Sequence, residues 1–404
     1  MTVEHSIPVL VFGTGANALG VMYELNARGV PILHLCPNTS DVSLQTRVSA
    51  ERRIAPAPQT DHAALLRVLL DCPSNWEGAY LLPVTDQCTR FVAQERDALQ
   101  KKFLVGTPAW AELRRLMNKD LLYDLADSVG VPHPKRLPAD SQSPIAQASA
   151  EIGYPCIVKP IRSPEFKALT GKKVFEAGSE SELEEQLAVA ARLGLDVMIN
   201  EIIPGPERSL SSYRVLISGD HTVAAELCSQ KVRQHPRDFG IGTVHRTIEM
   251  MPDLRGHSLA LLSEAGYTGY AQFEYKRDER DQCFKLIEVN TRQPESNRLQ
   301  TAAGVEFAYL GYLDVIGEPL PSIPEYKRGV YSIHTGQDIY TLKRHISEGI
   351  GGLGAFLRPY LRPHVYQIPI SFRDPGPFLY LAANILRNKF SRRRLTEPAA
   401  REET

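Results

Sequence analysis

Apolar residues near the N-terminus come in short, nearly unbroken runs rather than in alternation. Residues 7–12 (IPVLVF) form one run and 30–35 (VPILHL) another, the pattern of strands covered on both faces. Between them Gly13-Thr-Gly15 precedes a helical spacing through Leu19, Met22, Tyr23 and Leu25 that stops at Gly29. The alternation continues with a helix predicted over 63–70, a strand over 79–84, a helix over 89–99 and a strand over 103–105. Such repetition predicts a doubly wound parallel-sheet α/β domain over residues 1–113.

After residue 114 the pattern changes. Asn118-Lys-Asp-Leu-Leu-Tyr-Asp-Leu-Ala-Asp reads as a helix closed by Gly130-Val-Pro. A smaller αβ unit over 137–203 carries the strand Cys156-Ile-Val-Lys-Pro160, a second strand at Lys173-Val-Phe, a helix around 182–193 and a strand at Val197-Met-Ile. From 211 to 290 the strands lengthen and follow one another at 213–217, 222–227, 270–275 and 283–289. The charged turn 276–282 makes the last two an antiparallel hairpin. The expected class is α/β, becoming α+β in the C-terminal part. Its segments are 1–113, then 114–320 with a small lobe (137–203) and a core lobe (204–320), then 321–404. Residues 349–354 (GIGGLG) read as a flexible loop.

Composition narrows the function classes. The 404 residues are 43% hydrophobic and 23% charged, ordinary for a globular chain of two or three domains. Lys plus Arg is 46 against 47 acids, a net charge of −1, which removes the electrostatic case for non-specific nucleic-acid binding. A substrate-binding enzyme or a neutral binding module remains. Six cysteines without a C-x-x-C pair support neither a zinc site nor a disulfide framework. They suggest buried thiols in a reducing cytoplasm. The start, MTVEHSIPVLVFG, shows no signal-peptide pattern, and no stretch approaches the ~18–20 apolar residues that span a bilayer.

Gly13-x-Gly15-x-x-Ala18 fits the dinucleotide-binding spacing. That chemistry also wants an acid at the end of the second strand, where the chain has Leu35-Cys36-Pro37-Asn38 and no carboxylate before Asp41. A tight βα turn is the simpler reading, with a nicotinamide or flavin oxidoreductase as the alternative. The hairpin is richer. Strand alternation sets Glu288, Asn290 and Arg292 on one face, with Glu274 nearly opposite Glu288. Opposed carboxylates are destabilising without a positive partner, and magnesium satisfies them, with Asn290 as a third oxygen. Arg292 would then meet a transferring phosphoryl group. The competing reading is a solvated strand whose acids pair with Lys276 and Lys285. Lys159, inside an apolar strand, is costly unless its ammonium reaches an anion. The linker Asn200-Glu-Ile-Ile-Pro-Gly-Pro-Glu207 either is an ordinary interdomain turn or holds an adenine, with Ile202 or Ile203 as an apolar ceiling and Glu207 on the ribose.

In this order the glycine turn, the Asn118-Lys-Asp helix, the Ile157-Val-Lys-Pro strand, the 200–207 linker and the hairpin resemble the ATP-grasp superfamily over roughly residues 5–315. Gly171-Lys-Lys-Val-Phe, Gln230-Lys-Val-Arg-Gln-His-Pro and Glu288-x-Asn-x-Arg-Gln-Pro-Glu-Ser-Asn297 are similar to the carboxylate–amine ligase group that includes D-aspartate ligase. The resemblance implies a doubly wound domain followed by a two-lobed ATP-grasp domain. It implies Lys119 and Lys159 on the ATP phosphates, Asn200, Glu201, Ile202 and Ile203 around adenine, and Glu207 on the ribose. Glu274, Glu288 and Asn290 would bind one or two Mg²⁺, with Mn²⁺ as a substitute. Lys231, Arg233 and Arg292 would face the γ-phosphate or an acyl phosphate.

Two departures stand out. The phosphate-covering loop reads Arg162-Ser-Pro-Glu-Phe-Lys-Ala-Leu-Thr-Gly171-Lys-Lys rather than glycine-rich, so Lys172 or Lys173 would act there by charge. Thr291 stands where many relatives have proline. The implied activity is ATP-dependent activation of a carboxylate as an acyl phosphate for attack by an amine. Small amino-acid or peptide-like substrates are expected, with a homodimer as the commonest assembly. A nucleotide-binding regulatory protein without turnover is the other class. Asp238, His245 and Arg298 are candidates for selectivity.

In the tail, Phe378, Leu379, Ala382, Ile385, Leu386 and Phe390 share a helical face beside Arg387, Lys389 and Arg392-Arg-Arg394. That pattern fits a helix docked on the core with a solvated basic end. It also fits one resting on an anionic membrane through 378–394, peripheral at its inner face.

Overall fold

A computed structural model describes residues 7–161, 166, 169–236, 239–322, 325–348 and 352–396, with backbone alone for 345 and 388–396. The chain forms two compact units, Met1–Gly106 with Gln293–Leu320 and Val330–Thr404, and Thr107–Arg292 with Pro321–Gly329.

The first unit is built on four parallel strands in the order β3-β2-β1-β4, where β1 is Val9–Phe12, β2 Ile32–Cys36, β3 Glu51–Ile54 and β4 Tyr80–Pro83. Strand β1 is buried throughout, and its pleat divides it between two cores. Val9 and Val11 pack with the helix Gly15–Ala27, whereas Leu10 and Phe12 pack with Leu65, Leu69, Phe91 and Val92 of the helices His62–Leu70 and Asp86–Gln94. This two-sided burial is why the run is unbroken. The helix expected over 89–99 is two, Asp86–Gln94 and Arg96–Leu99. The strand expected at 103–105 is a single parallel bridge from Leu104 to Tyr80.

Residues 293–320 belong to this same unit. Their helix Phe307–Ile316 contributes Ala308, Tyr312 and Leu313 to the core around Gly15–Ala27. Gly20 permits the approach of Asn297, because a Cβ there would stand 1.8 Å from its Oδ1. The buried Glu24 carboxylate accepts from the backbone N–H of Ala308 (2.7 Å) and Tyr309 (3.0 Å), and from the Thr301 hydroxyl. Burial pushes its pKa up to about 7, although those donors oppose the shift.

The second unit holds two antiparallel sheets. In the first, β5 (Arg136–Pro138), β6 (Cys156–Pro160), β7 (Phe175–Ala177) and β8 (Val197–Glu201) run in the order β5-β8-β6-β7. Cys156, Val158, Phe175, Ala177, Val197 and Ile199 turn to a core shared with Leu183 and Ala190 of the helix Glu180–Arg192. By alternation Ile157, Lys159, Met198 and Asn200 occupy the other face. In the second, β9 (Leu210–Ile217), β10 (Val223–His235), β11 (Ile241–Ile248), β12 (Gly269–Arg277) and β13 (Phe284–Asn290) run in the order β13-β12-β9-β10-β11. Strand β10 is longer than its expected 222–227. Register shifts at Lys231/Arg233 and Arg233/Gln234 break the alternation that would mark its second half.

Back in the first unit, β14 (Tyr331–Ile333) and β15 (His364–Tyr366) pair in parallel. The helices Ile339–Ser347, Gly352–Leu357 and Gly376–Thr396 complete it. Of the loop expected at 349–354, residues 349–351 lie outside those described, and Gly352 opens a helix. The face expected on the terminal helix is divided. Ile385 lies against Gly336 and Leu381 packs on the core, while Leu379 and Leu386 are exposed. The side chains of Phe390 and of 392–394 are outside the described ones. Among the described residues no helix is long and apolar enough to cross a membrane. All six cysteines are free and four are buried.

Candidate active site

The hairpin delivers its acids in direct opposition: Glu274 of β12 is the register partner of Glu288 of β13, and Gln272 is that of Asn290. A bulge follows immediately, since Tyr275 pairs with Leu286 and Ile287 is the extra residue. Bulges bend a strand and re-aim its groups. Here the Ile287 carbonyl accepts from the Tyr123 hydroxyl (3.1 Å) and the Lys159 ammonium (3.4 Å).

Cations converge on the acid pair. Lys159, 9% exposed, also reaches the Tyr123 hydroxyl at 3.4 Å and lies 5.8 Å from the centre of that ring. Lys119 opens the helix Lys119–Ser128, whose first N–H groups, at Asp120 and Leu121, are capped by the Asn118 side chain. Its ammonium reaches the Pro160 carbonyl at 3.4 Å. Lys231 of β10 stands 3.7 Å from Glu274, whose side chain is 19% exposed.

The two carboxyls titrate apart. Burial raises Glu274, with Glu288 adding to the effect and Lys231, Lys173 and Arg292 opposing it. Burial would raise Glu288 too, but Lys119, Lys159, Lys231 and Lys173 outweigh it and hold the group below its ordinary value. Burial lowers Lys159, against the pull of Glu288 and Glu274. The two lysines of the covering loop therefore part company. Lys173 acts on both acids, whereas Lys172, assigned to the phosphates from sequence, lies over the Phe175 ring at 5.7 Å. Residues 162–165 and 167–168 of that loop are outside the described ones.

Around the linker, Asn200 is almost fully buried and its side-chain amide makes no hydrogen bond by distance and angle, although it sits beside the Tyr123 hydroxyl. Ile203 is buried and Ile202 half-buried. Glu201 is committed elsewhere: its carboxylate accepts from Arg280 (2.6 Å) and from the Lys135 backbone N–H (3.0 Å). It ties the linker down rather than presenting a side chain to a ligand. Glu207 accepts from the Gln234 backbone N–H at 3.1 Å, next to the buried Arg233. Among the selectivity candidates, His245 opposes Lys231 in register. Arg298 donates to the Tyr366 carbonyl and lies over the Tyr23 ring within the first unit. Asp238 is outside the described residues. Lys285, the alternative partner of the acids, pairs with Asp281 at 2.9 Å instead.

Three residues of the cluster escape a motif reading. Tyr123 lies four positions after Lys119 and so shares its helical face. Gln272, two before Glu274, donates to Ser212 at 3.3 Å and approaches the Glu274 carboxylate at 3.5 Å. Arg214, wholly buried and opposite Gln272 in β9, feels the charge of Glu274; a cation in the apolar strand Tyr213–Ile217 is the same signal as Lys159. At the glycine turn, Asp41 accepts from the Gly15 backbone N–H at 2.8 Å. The N-terminus of that helix is thus closed by the protein's own carboxylate, where a dinucleotide pyrophosphate would sit.

No family model matches the chain. It is 24% identical over 323 residues to D-aspartate ligase of Enterococcus faecium, covering 76% of this chain and 75% of that one. The crystal structure of N5-carboxyaminoimidazole ribonucleotide synthetase in its ADP complex matches with a TM-score of 0.65 at 15% identity, over 87% of each chain. That of L-amino acid ligase from Bacillus licheniformis matches with 0.61 at 16%, over 80% of this chain and 78% of that one. At such identities the two structures establish the fold, and the sequence relationship narrows it. Together with the acid pair and its lysines, these likenesses support a relationship to the ATP-grasp carboxylate–amine ligases.

Proposed function

We propose that the chain spends ATP to join an amino-acid or peptide-like carboxylic acid to an amine. One observation carries this reading: Lys119, Lys159, Lys173, Lys231 and Arg292, with the buried Arg214 beside them, act on only two carboxylates, so cations outnumber acids at the site. Such a surplus is tolerable in a half-buried site when a polyanion completes it, as a triphosphate does.

Glu274, Glu288 and Asn290 offer only oxygen donors, two of them charged, from adjacent strands; this set suits Mg²⁺ or Mn²⁺, one ion or two. When bound there, the metal supplies charge neutralisation at the phosphates. Lys119, Lys159 and Lys173 hold the phosphates, Asn200, Ile202 and Ile203 flank the adenine, and Glu207 meets the ribose. Lys231, Arg233 and Arg292 face the transferring phosphoryl group. A carboxylate oxygen of the substrate attacks the γ-phosphorus, the bond to the departing ADP breaks, and an acyl phosphate forms. The amine then attacks the acyl carbon, phosphate leaves, the nitrogen gives up a proton, and an amide remains. Positioning and charge do most of this work, and closure of the lobe 137–203 keeps water from the intermediate. The relationship to D-aspartate ligase supports an amino acid as one substrate.

The test is incubation of the full chain with Mg-ATP and amino acids, singly and in pairs, following ADP and new amide masses, with nicotinamide absorbance in parallel. ADP and an amide that both require one pair support the proposal. Nucleotide binding without ADP release across the panel refutes it in favour of a regulatory protein.

A further inference from the structure

Fifteen large hydrophobic side chains stand exposed among the described residues, and ten of them fall between residues 339 and 386. That span is 48 of 404 residues. Phe372 is fully exposed, Leu361 is 80% exposed and Ile346 61%. On helices the exposed residues recur at spacings that share a face: Ile339 with Ile346, Leu353 with Leu357, Leu379 with Leu386. The same elements are anchored from their other sides by Phe356, Pro359 and Leu381.

Charge follows the apolar residues. Residues 339–396 contain ten Lys or Arg and two acids, a net +8 in a chain whose total is −1. Lys343, Arg358, Arg362, Arg373 and Arg387 are exposed. Of the two acids, Asp374 is buried and takes hydrogen bonds from Tyr23 and Thr46, leaving Glu348 on the surface.

We propose that the exposed side chains of residues 339–348 and 352–387 bind the surface of an anionic phospholipid bilayer, the apolar ones entering the headgroup region and Lys343, Arg358, Arg362, Arg373 and Arg387 meeting lipid phosphates. The arrangement favours lipid over a second copy of the chain. The central part of a protein interface is depleted of charge, whereas here exposed arginines and lysines stand among the apolar residues, as on interfacial segments.

The full chain is sedimented with phosphatidylglycerol-rich vesicles and with phosphatidylcholine vesicles, at low and high salt. Binding to the anionic vesicles is expected, with partition at least about tenfold weaker on phosphatidylcholine and weaker again in salt. The pairs Leu361→Ser with Phe372→Ser, and Arg358→Glu with Arg362→Glu, should each lower anionic partition about tenfold or more. Circular dichroism and nucleotide binding, which use other residues, check that each variant is folded. Equal partition into both lipids, or none into either, overturns the proposal. So does a lipid-free dimer that the Leu361→Ser and Phe372→Ser pair dissociates, which would give the surface to a second copy.

Discussion

Replacing Glu288 with Gln keeps the size of the side chain and removes one negative charge from among four lysines. Two consequences of opposite sign follow. Without metal, the cation surplus grows by one charge, and a nucleotide phosphate should bind more tightly. For a charge roughly 6 Å from a phosphate, Coulomb's law gives about 0.7 kcal/mol with the dielectric of water and about 2.8 kcal/mol at an effective dielectric of about 20. That is roughly a 3- to 100-fold tightening of metal-free ADP, measured by calorimetry in chelator. With magnesium, the lost oxygen ligand should cost at least about a hundredfold in turnover, the scale of losing a group that stabilises developing charge. A variant that merely unfolds loses both. Wild-type Mg-dependent ADP formation in the Gln variant, or weaker metal-free ADP binding, would refute the assignment of Glu288.

Arg292→Ala should raise the barrier by roughly 3–4 kcal/mol, seen as a loss in kcat with nucleotide affinity kept within a few-fold; unchanged turnover removes Arg292 from the mechanism. Because Glu274 is held above the ordinary carboxylate range, kcat/KM should fall on acidification at a higher pH than a free carboxylate would dictate. Glu274→Gln should erase that limb along with the activity. Glu24 has its pKa raised to about 7 from 4.5, so its contribution to stability is full below about 4.5 and is lost as pH rises through about 7. The loss should approach about 3 kcal/mol. Denaturant melts from acid to mildly alkaline pH should show the decline, and Glu24→Gln should flatten it.

Legibility from sequence followed the range of the interactions. The opposition of Glu274 and Glu288 was countable because strand pleat and hairpin register are local. Lys159 announced itself by being a cation in an apolar strand, and Arg214 carried the same mark unread. The motif could not separate Lys172 from Lys173, because adjacent side chains diverge and only tertiary placement says which meets the acids. Nor could it foresee that Arg280, 79 positions away, claims the Glu201 carboxylate. The Ile287 bulge was hidden for a related reason: an extra residue leaves composition unchanged while turning one carbonyl toward Lys159. At the glycine turn the missing acid is legible in the chain, but the plug supplied by Asp41 depends on a loop folding back over the helix.

A chain that gathers like charges before its substrate arrives keeps part of its cohesion in reserve. Repulsion among those ammonium and guanidinium groups loosens the free protein, and whichever anion settles them acts as a missing structural piece. Resistance to heat should therefore track how much nucleotide surrounds the molecule, so that its persistence in a cell is tied to the energy supply on which it draws.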